Sequence, residues 1–183
     1  GSDIPKAFAY AYQKHLGYPR KNKTVPYLVH PMDVASILMK NDAPEHLIIA
    51  GILHDIVEDT PVLIDEIEDK FGKKVAVLVD GATEPMEMRA PELRKHNWPQ
   101  RKQHTIDLIK NADYELKLLS CADKLSNIRD TINDLRYLGK EISNYKDNKR
   151  YYSAMLESFS TSTELQQTGA YKEFKQTVET IYT

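Results

Sequence analysis

His54-Asp55-Ile56-Val57-Glu58-Asp59 packs one imidazole and three carboxylates into six residues. The apolar run Leu47-Ile48-Ile49-Ala50-Gly51-Ile52-Leu53 precedes it and Thr60-Pro61 follows. That flank predicts a buried helix whose last turn becomes polar, with Thr60 capping the next helix and Pro61 at its first position. Residues three and four apart share a helix face, so Asp55 is expected beside Glu58 and Asp59, and His54 beside Glu58. Burying that much unpaired negative charge costs on the order of several kcal/mol. A divalent cation removes the difficulty, and His with Asp is a donor set that Mn, Fe or Zn accepts. The plain alternative is a solvated acidic end of an amphipathic helix.

Three other places carry residues of interest. In Tyr27-Leu28-Val29-His30-Pro31, Pro31 is suited to begin a helix, which sets His30 just before it, free to face a cleft. Alone, such a histidine is equally a hydrogen-bonded structural residue. Arg20-Lys21-Asn22-Lys23 puts three cations in four residues of a loop, which is either a solvated surface or an anion clamp. Asp123 and Asn127, four apart in Ser120-Cys121-Ala122-Asp123-Lys124-Leu125-Ser126-Asn127, share a helix face. Small and apolar neighbours predict that Asp123 is buried, and a buried carboxylate is paired or binds metal.

The elements that must position these groups are helical by period. Ala7, Phe8, Ala11, Tyr12 and His15 recur at helical spacing between Ile4 and Leu16, and Val34, Ala35, Ile37 and Leu38 form a stripe after Pro31. Asp42 is a candidate cap and Pro44 a first-turn residue for the helix that reaches His54. Leu63, Ile64, Ile67 and Phe71, then Val75 to Ala82, give two more helices. Thr83 to Trp98 reads as a long polar loop, a length usually tied to function or motion. Trp98 to Lys110 is helical and carries Arg101-Lys102. Ala112 to Leu138 is a long helix with Leu116, Leu119, Ala122, Leu125, Ile128, Ile132 and Leu135 as its stripe. Tyr145 to Phe159 and Ser162 to Ile181 complete the set, the last being polar enough to predict a peripheral helix over about 162–182. No stretch reads as a strand. The expectation is an all-α fold, one domain over 1–183, a bundle of about eight helices.

Bulk properties narrow the function. At 183 residues and 41% hydrophobic, the chain can bury a substantial core. A formal charge of −2 gives no global attraction to DNA, RNA or an anionic membrane. One cysteine allows no disulfide within the chain and fits a reducing cytoplasm. No run reaches the length of a membrane span, no signal peptide is evident, and no Gly-rich phosphate loop is present.

His30, His54-Asp55 and Asp123, in that order on an all-helical chain, resemble the H…HD…D pattern of the HD-domain phosphohydrolases. Arg20-Lys21, Pro26 to Pro31, Leu53 to Thr60, Phe71-Gly72-Lys73-Lys74-Val75 and Ala122 to Asn127 look like the hydrolase domain of RelA/SpoT enzymes and like stand-alone small alarmone hydrolases. The similarity spans about Phe8 to Tyr152. It implies a Mn(II)-dependent hydrolase that removes the 3′-pyrophosphate of ppGpp or pppGpp, with Fe, Co or Zn open as the metal. At this length the chain is expected to lack the synthetase domain of the long enzymes and to degrade only. The resemblance implies His30, His54, Asp55 and Asp123 as metal ligands, and Glu58 and Asp59 as the pair that places water or moves its proton. It further implies Asn127, Arg20 and Lys21 as substrate contacts, with Arg101 and Lys102 a second cationic contact or simply partners of nearby acids. Tyr151 and Tyr152 are expected to pack. The partner implied is a small nucleotide, and a homodimer is an assembly open to the chain. Glu84-Pro85-Met86-Glu87-Met88-Arg89-Ala90-Pro91 departs from the long enzymes and is expected to rim the cleft, where substrate choice could reside. Other expectations therefore stay open: action on a nucleoside phosphate or the 2′-phosphate of NADPH, or a nucleotide-binding module without catalysis.

Overall fold

The computed structural model describes residues 1–18, 26–141 and 146–182, with the side chains of 146 and 147 set aside. The described residues are all helix, turn and coil, with no strand among them. They fall into two compact units, residues 1–96 and 97–183.

The first unit holds α1 (Ile4–His15), α2 (Val29–Lys40), α3 (Glu45–Leu53), α4 (Ile56–Asp59), α5 (Ile64–Phe71), α6 (Lys73–Ala82), a 3-10 turn (Met86–Met88) and α7 (Pro91–Arg94). Its centre is α3, which buries every residue from Leu47 to Leu53. A helix apolar all round belongs inside a core. Accordingly α3 packs against α1, α2 and α6. Leu47, Ile52 and Leu53 are almost fully enclosed, each stabilising by about 1.5–3 kcal/mol relative to exposure.

Several boundaries differ from expectation. The helix expected to run through His54 to Asp59 stops at Leu53, and α4 restarts at Ile56. The His54 side chain takes up the Gly51 carbonyl (2.6 Å), the acceptor a continuing helix would offer to the Asp55 N–H. Thr60 does not cap α5. Its hydroxyl donates back to the Ile56 carbonyl (2.6 Å) and accepts from the Val62 N–H (3.2 Å), so it closes α4, and α5 begins three residues beyond Pro61. Asp42 sits at φ 58° in the turn before α3, whose N-cap is Pro44. His30 lies inside the first turn of α2, where Pro31 follows it without needing a donor. The segment expected as one long loop contains the 3-10 turn and α7.

The second unit holds α8 (Trp98–Lys110), α9 (Tyr114–Tyr137), α10 (Lys146–Ser160), α11 (Thr163–Gln166) and α12 (Gly169–Ile181). Asp113 caps α9 by accepting from the Leu116 N–H (3.0 Å). Lys117 is buried and donates to the carbonyls of Lys110 (3.0 Å) and Ala112 (2.6 Å), closing the end of α8. The helix expected from Ser162 to Ile181 is two, because Ser162 and Thr168 each cap a fresh start. Nor is α12 merely laid on the surface: Phe174 is fully buried and meets Phe159 edge-on at 5.5 Å. The buried residues of α12 are only Ala170, Tyr171, Phe174 and Val178, which is why a polar average hid them. No helix among the described residues is long and apolar enough to cross a membrane.

Candidate metal centre

The cluster forms where the N-terminal turn of α2 meets the α3–α4 turn. His30 and His54 are each 3% exposed, and their rings stand 5.2 Å apart at 67°. Asp55 Oδ2 lies 3.2 Å from His54 Nε2 and 3.8 Å from His30 Nε2. One ligand atom from each residue can be chosen so that all lie within 4.8 Å of one another. Ligands held about 2.0–2.2 Å from one ion sit roughly 3–3.5 Å from each other, so the spacing fits a single divalent metal with little adjustment. The tautomer agrees. A carbonyl has no hydrogen to give, so His54 Nδ1 carries the proton toward Gly51 and leaves the Nε2 lone pair for a metal. The Asp55 side chain keeps 26% of its surface exposed, which leaves an approach to the cluster.

Around this core stand groups that sequence reasoning missed. The buried Tyr27 hydroxyl donates to Asp55 Oδ2 (3.1 Å), and its ring stacks on His15 at 3.6 Å and 27°. His15 is 6% exposed with neither ring nitrogen hydrogen-bonded. Burial, only partly offset by the Asp55 charge, pushes its pKa down to about 4. The helical period of α1 showed His15 as an inward residue; nothing in the sequence signalled what it touches.

Glu58 and Asp59 follow on α4. Burial first, then the Asp55 charge, raises the Glu58 pKa to about 7, against the donation from the Glu84 N–H that favours its charged form. A carboxyl poised there can hold or release a proton near neutrality. Asp59 is exposed. The segment after α6 is fastened to α4: besides the Glu84 amide on Glu58, Arg89 Nη1 donates to the Val57 carbonyl (3.2 Å) and Arg94 pairs with Glu84 (3.7 Å).

The remaining expected residues lie in the second unit or outside the described residues. On α9, the Asp123 side chain is 16% exposed, not fully buried. It accepts from Lys124 Nζ (2.7 Å) and lies 3.5 Å from Asn127 Nδ2. Burial opposes the Lys124 charge, but the Asp123 carboxylate outweighs it and holds that lysine well above its ordinary pKa. Arg101 is buried and its Nε donates to Asn97 Oδ1 (2.9 Å). Lys102 Nζ lies over the rings of Tyr151 (4.9 Å) and Trp98 (5.9 Å), at one wall of a cleft of about 640 Å³ between α8 and α10. Tyr151 and Tyr152 are both buried and pack as expected. Arg20 and Lys21 lie outside the described residues.

These features define an all-helical chain with a His-His-Asp cluster that could hold a metal ion, and comparison with known proteins gives the class. The HD domain family matches residues 7–144, and the chain belongs to that family. Within the family it is 35% identical over 126 residues to the probable guanosine-3′,5′-bis(diphosphate) 3′-pyrophosphohydrolase of Synechocystis sp., covering 69% of this chain and 16% of that protein. The chain spans about a sixth of the length of the curated relatives it matches. Among solved structures, lmo0812 of Listeria monocytogenes EGD-e superposes with a TM-score of 0.73 at 30% identity, covering 84% of this chain and 98% of that one. A metazoan ortholog of SpoT, described as hydrolysing ppGpp and acting in starvation responses, gives 0.76 at 22% identity over 98% of this chain and 95% of its own. At that identity the likeness is one of fold. The HD family takes a divalent metal, and His30, His54 and Asp55 fit one.

Proposed function

We propose that this chain is a metal-dependent pyrophosphohydrolase that removes the 3′-pyrophosphate of ppGpp and pppGpp. The observation that carries the reading is the convergence of His30, His54 and Asp55, with every chosen ligand atom within 4.8 Å of the others, three residues ahead of a carboxyl tuned to about 7. The substrate class is supported by the named activity of the Synechocystis relative.

In this reading His30, His54 and Asp55 hold the ion, Mn(II) by preference, and Asp123 is the fourth ligand. When bound, a divalent ion supplies a Lewis acid that makes water easier to deprotonate near neutral pH. Glu58 takes the proton as water attacks the phosphorus attached to the 3′ oxygen. The P–O3′ bond breaks, the 3′ oxygen leaves and is protonated, and pyrophosphate is released. Asp59 helps place the water. Arg20, Lys21, Arg101 and Lys102 supply the positive charge a polyanionic substrate requires, and Asn127 contacts its sugar or phosphate. The setting is the cytoplasm.

The test is release of pyrophosphate and orthophosphate from ppGpp, pppGpp, NADPH and simple nucleotides, with Mn(II) added. Pyrophosphate from ppGpp, abolished by a chelator, is the expected result. Orthophosphate from NADPH or a mononucleotide, with none of the alarmones cleaved, would replace the substrate and keep the metal centre.

A further inference from the structure

Tyr27 touches two residues of the His30-His54-Asp55 cluster at once. Its carbonyl accepts from the His30 backbone N–H (3.2 Å), while its hydroxyl donates to Asp55 Oδ2 (3.1 Å). That oxygen is the one facing both imidazole Nε2 atoms. The ring between these contacts lies flat on His15, a residue contributed by α1. The histidine is almost fully enclosed, yet neither nitrogen has a hydrogen-bond partner. Leaving a buried polar group unpaired is unfavourable, so apolar packing alone does not account for an imidazole there. What it supplies is a thin, flat face at 3.6 Å from the phenol, where an aliphatic side chain would stand the ring off.

We propose that Tyr27 is a positioning residue for the metal ligand Asp55, and that His15 is the platform that fixes the Tyr27 ring. A carboxylate can turn about its last torsion and offer either oxygen in many directions. A phenol hydroxyl fixed at its edge selects one oxygen and one rotation, and it restrains that oxygen before a metal arrives. Such partners of metal ligands typically change affinity or activity by about 10–100-fold when removed. The device joins three separate pieces of the first unit, α1, the turn before α2 and the α3–α4 turn, at a single ligand atom.

This inference rests on the metal-centre part of the proposed function and not on the identity of the substrate. The experiment uses the whole chain, stripped of metal, with Mn(II) and Co(II) as probes. Tyr27→Phe keeps the stacked ring and removes only the hydroxyl. It is expected to weaken Mn(II) binding by roughly 10–100-fold, to shift the visible absorption of the Co(II)-saturated protein, and to leave the melting temperature of the metal-free protein near that of the parent. His15→Leu keeps the hydroxyl and removes the flat face. It is expected to weaken Mn(II) binding less and to shift the Co(II) band in the same direction. Parent-like Mn(II) affinity and Co(II) absorption in Tyr27→Phe would overturn the positioning role; the same result in His15→Leu would overturn the platform. A parent chain that binds neither ion overturns the inference together with the metal centre. A parent that binds Mn(II) but releases nothing from ppGpp discards the alarmone reading alone.

Discussion

Two carboxylates proposed to share one ion sit in contrasting surroundings. Asp55, in the first unit, faces two imidazoles and accepts from a neutral phenol. Asp123, on α9 in the second unit, has an ammonium 2.7 Å away. The first environment sets the carboxylate's charge beside two imidazole rings, the company a metal ligand keeps. The second already answers part of that charge from within the chain. The difference teaches that a spacing such as Asp-x-x-x-Asn fixes a shared face but not the charge balance on that face; the residue beside the carboxylate, Lys124, sets it.

The contrast breaks most sharply by deleting each carboxylate in turn. Asp55→Ala is expected to abolish stoichiometric metal and reduce turnover to background, read by metal analysis of the purified protein and by pyrophosphate release. Asp123→Ala is also expected to lose metal and turnover together, and to destabilise the chain by about 3–5 kcal/mol if Lys124 stays charged without its partner. Retention of one Mn(II) per chain with that destabilisation would reduce Asp123 to an ion-pair residue and leave the centre to the first unit.

Glu58→Ala sharpens the comparison at the next level, because it removes a proton carrier and no proposed ligand. Metal content should be unchanged, while kcat falls by about 10²–10⁴-fold. Parent-like rates would remove Glu58 from the mechanism.

A smaller effect follows from linkage. Glu58 has a folded pKa of about 7, above its ordinary 4.5, so the unfolded chain loses its proton first. The stability this group contributes is complete below pH 4.5 and is lost as pH rises through 7. His15 acts oppositely and lower: with a folded pKa of about 4 against 6.5, stability falls as pH drops from 6.5 toward 4. In the metal-free protein the two slopes oppose each other between about pH 4.5 and 6.5, so denaturant midpoints should decline only as pH rises from about 6.5 to 8, and Glu58→Gln should flatten that decline and unmask a rise of stability with pH from about 4 to 6.5. The smallest expected change is Arg129→Ala in the second unit. Its pair with Glu173 is substantially exposed, and such pairs are worth about 0–1 kcal/mol, so thermal stability should barely move.

Much of this was legible without coordinates, and the exceptions share a cause. The inward faces of α1, α2, α3 and α9 follow from helical period, and the Leu47–Leu53 run announced a core helix. The same local logic misplaced the end of that helix, since period cannot show that a histidine side chain will take its own Gly51 carbonyl. The polar run after α6 concealed the 3-10 turn and α7, and the short apolar content of α12 concealed Phe174.

By itself the sequence determined the helical class, the ordered set of His30, His54, Asp55 and Asp123, and the acidic pair beside them. These depend on residue type and short spacing, which the chain carries locally. Only the tertiary structure decided that Tyr27 reaches Asp55 across 28 residues, that His15 lies flat beneath it, and that the Glu84 amide meets Glu58. Those contacts join separate elements, and the distances between elements are set by how side chains fill the space between helices, a property no local spacing contains.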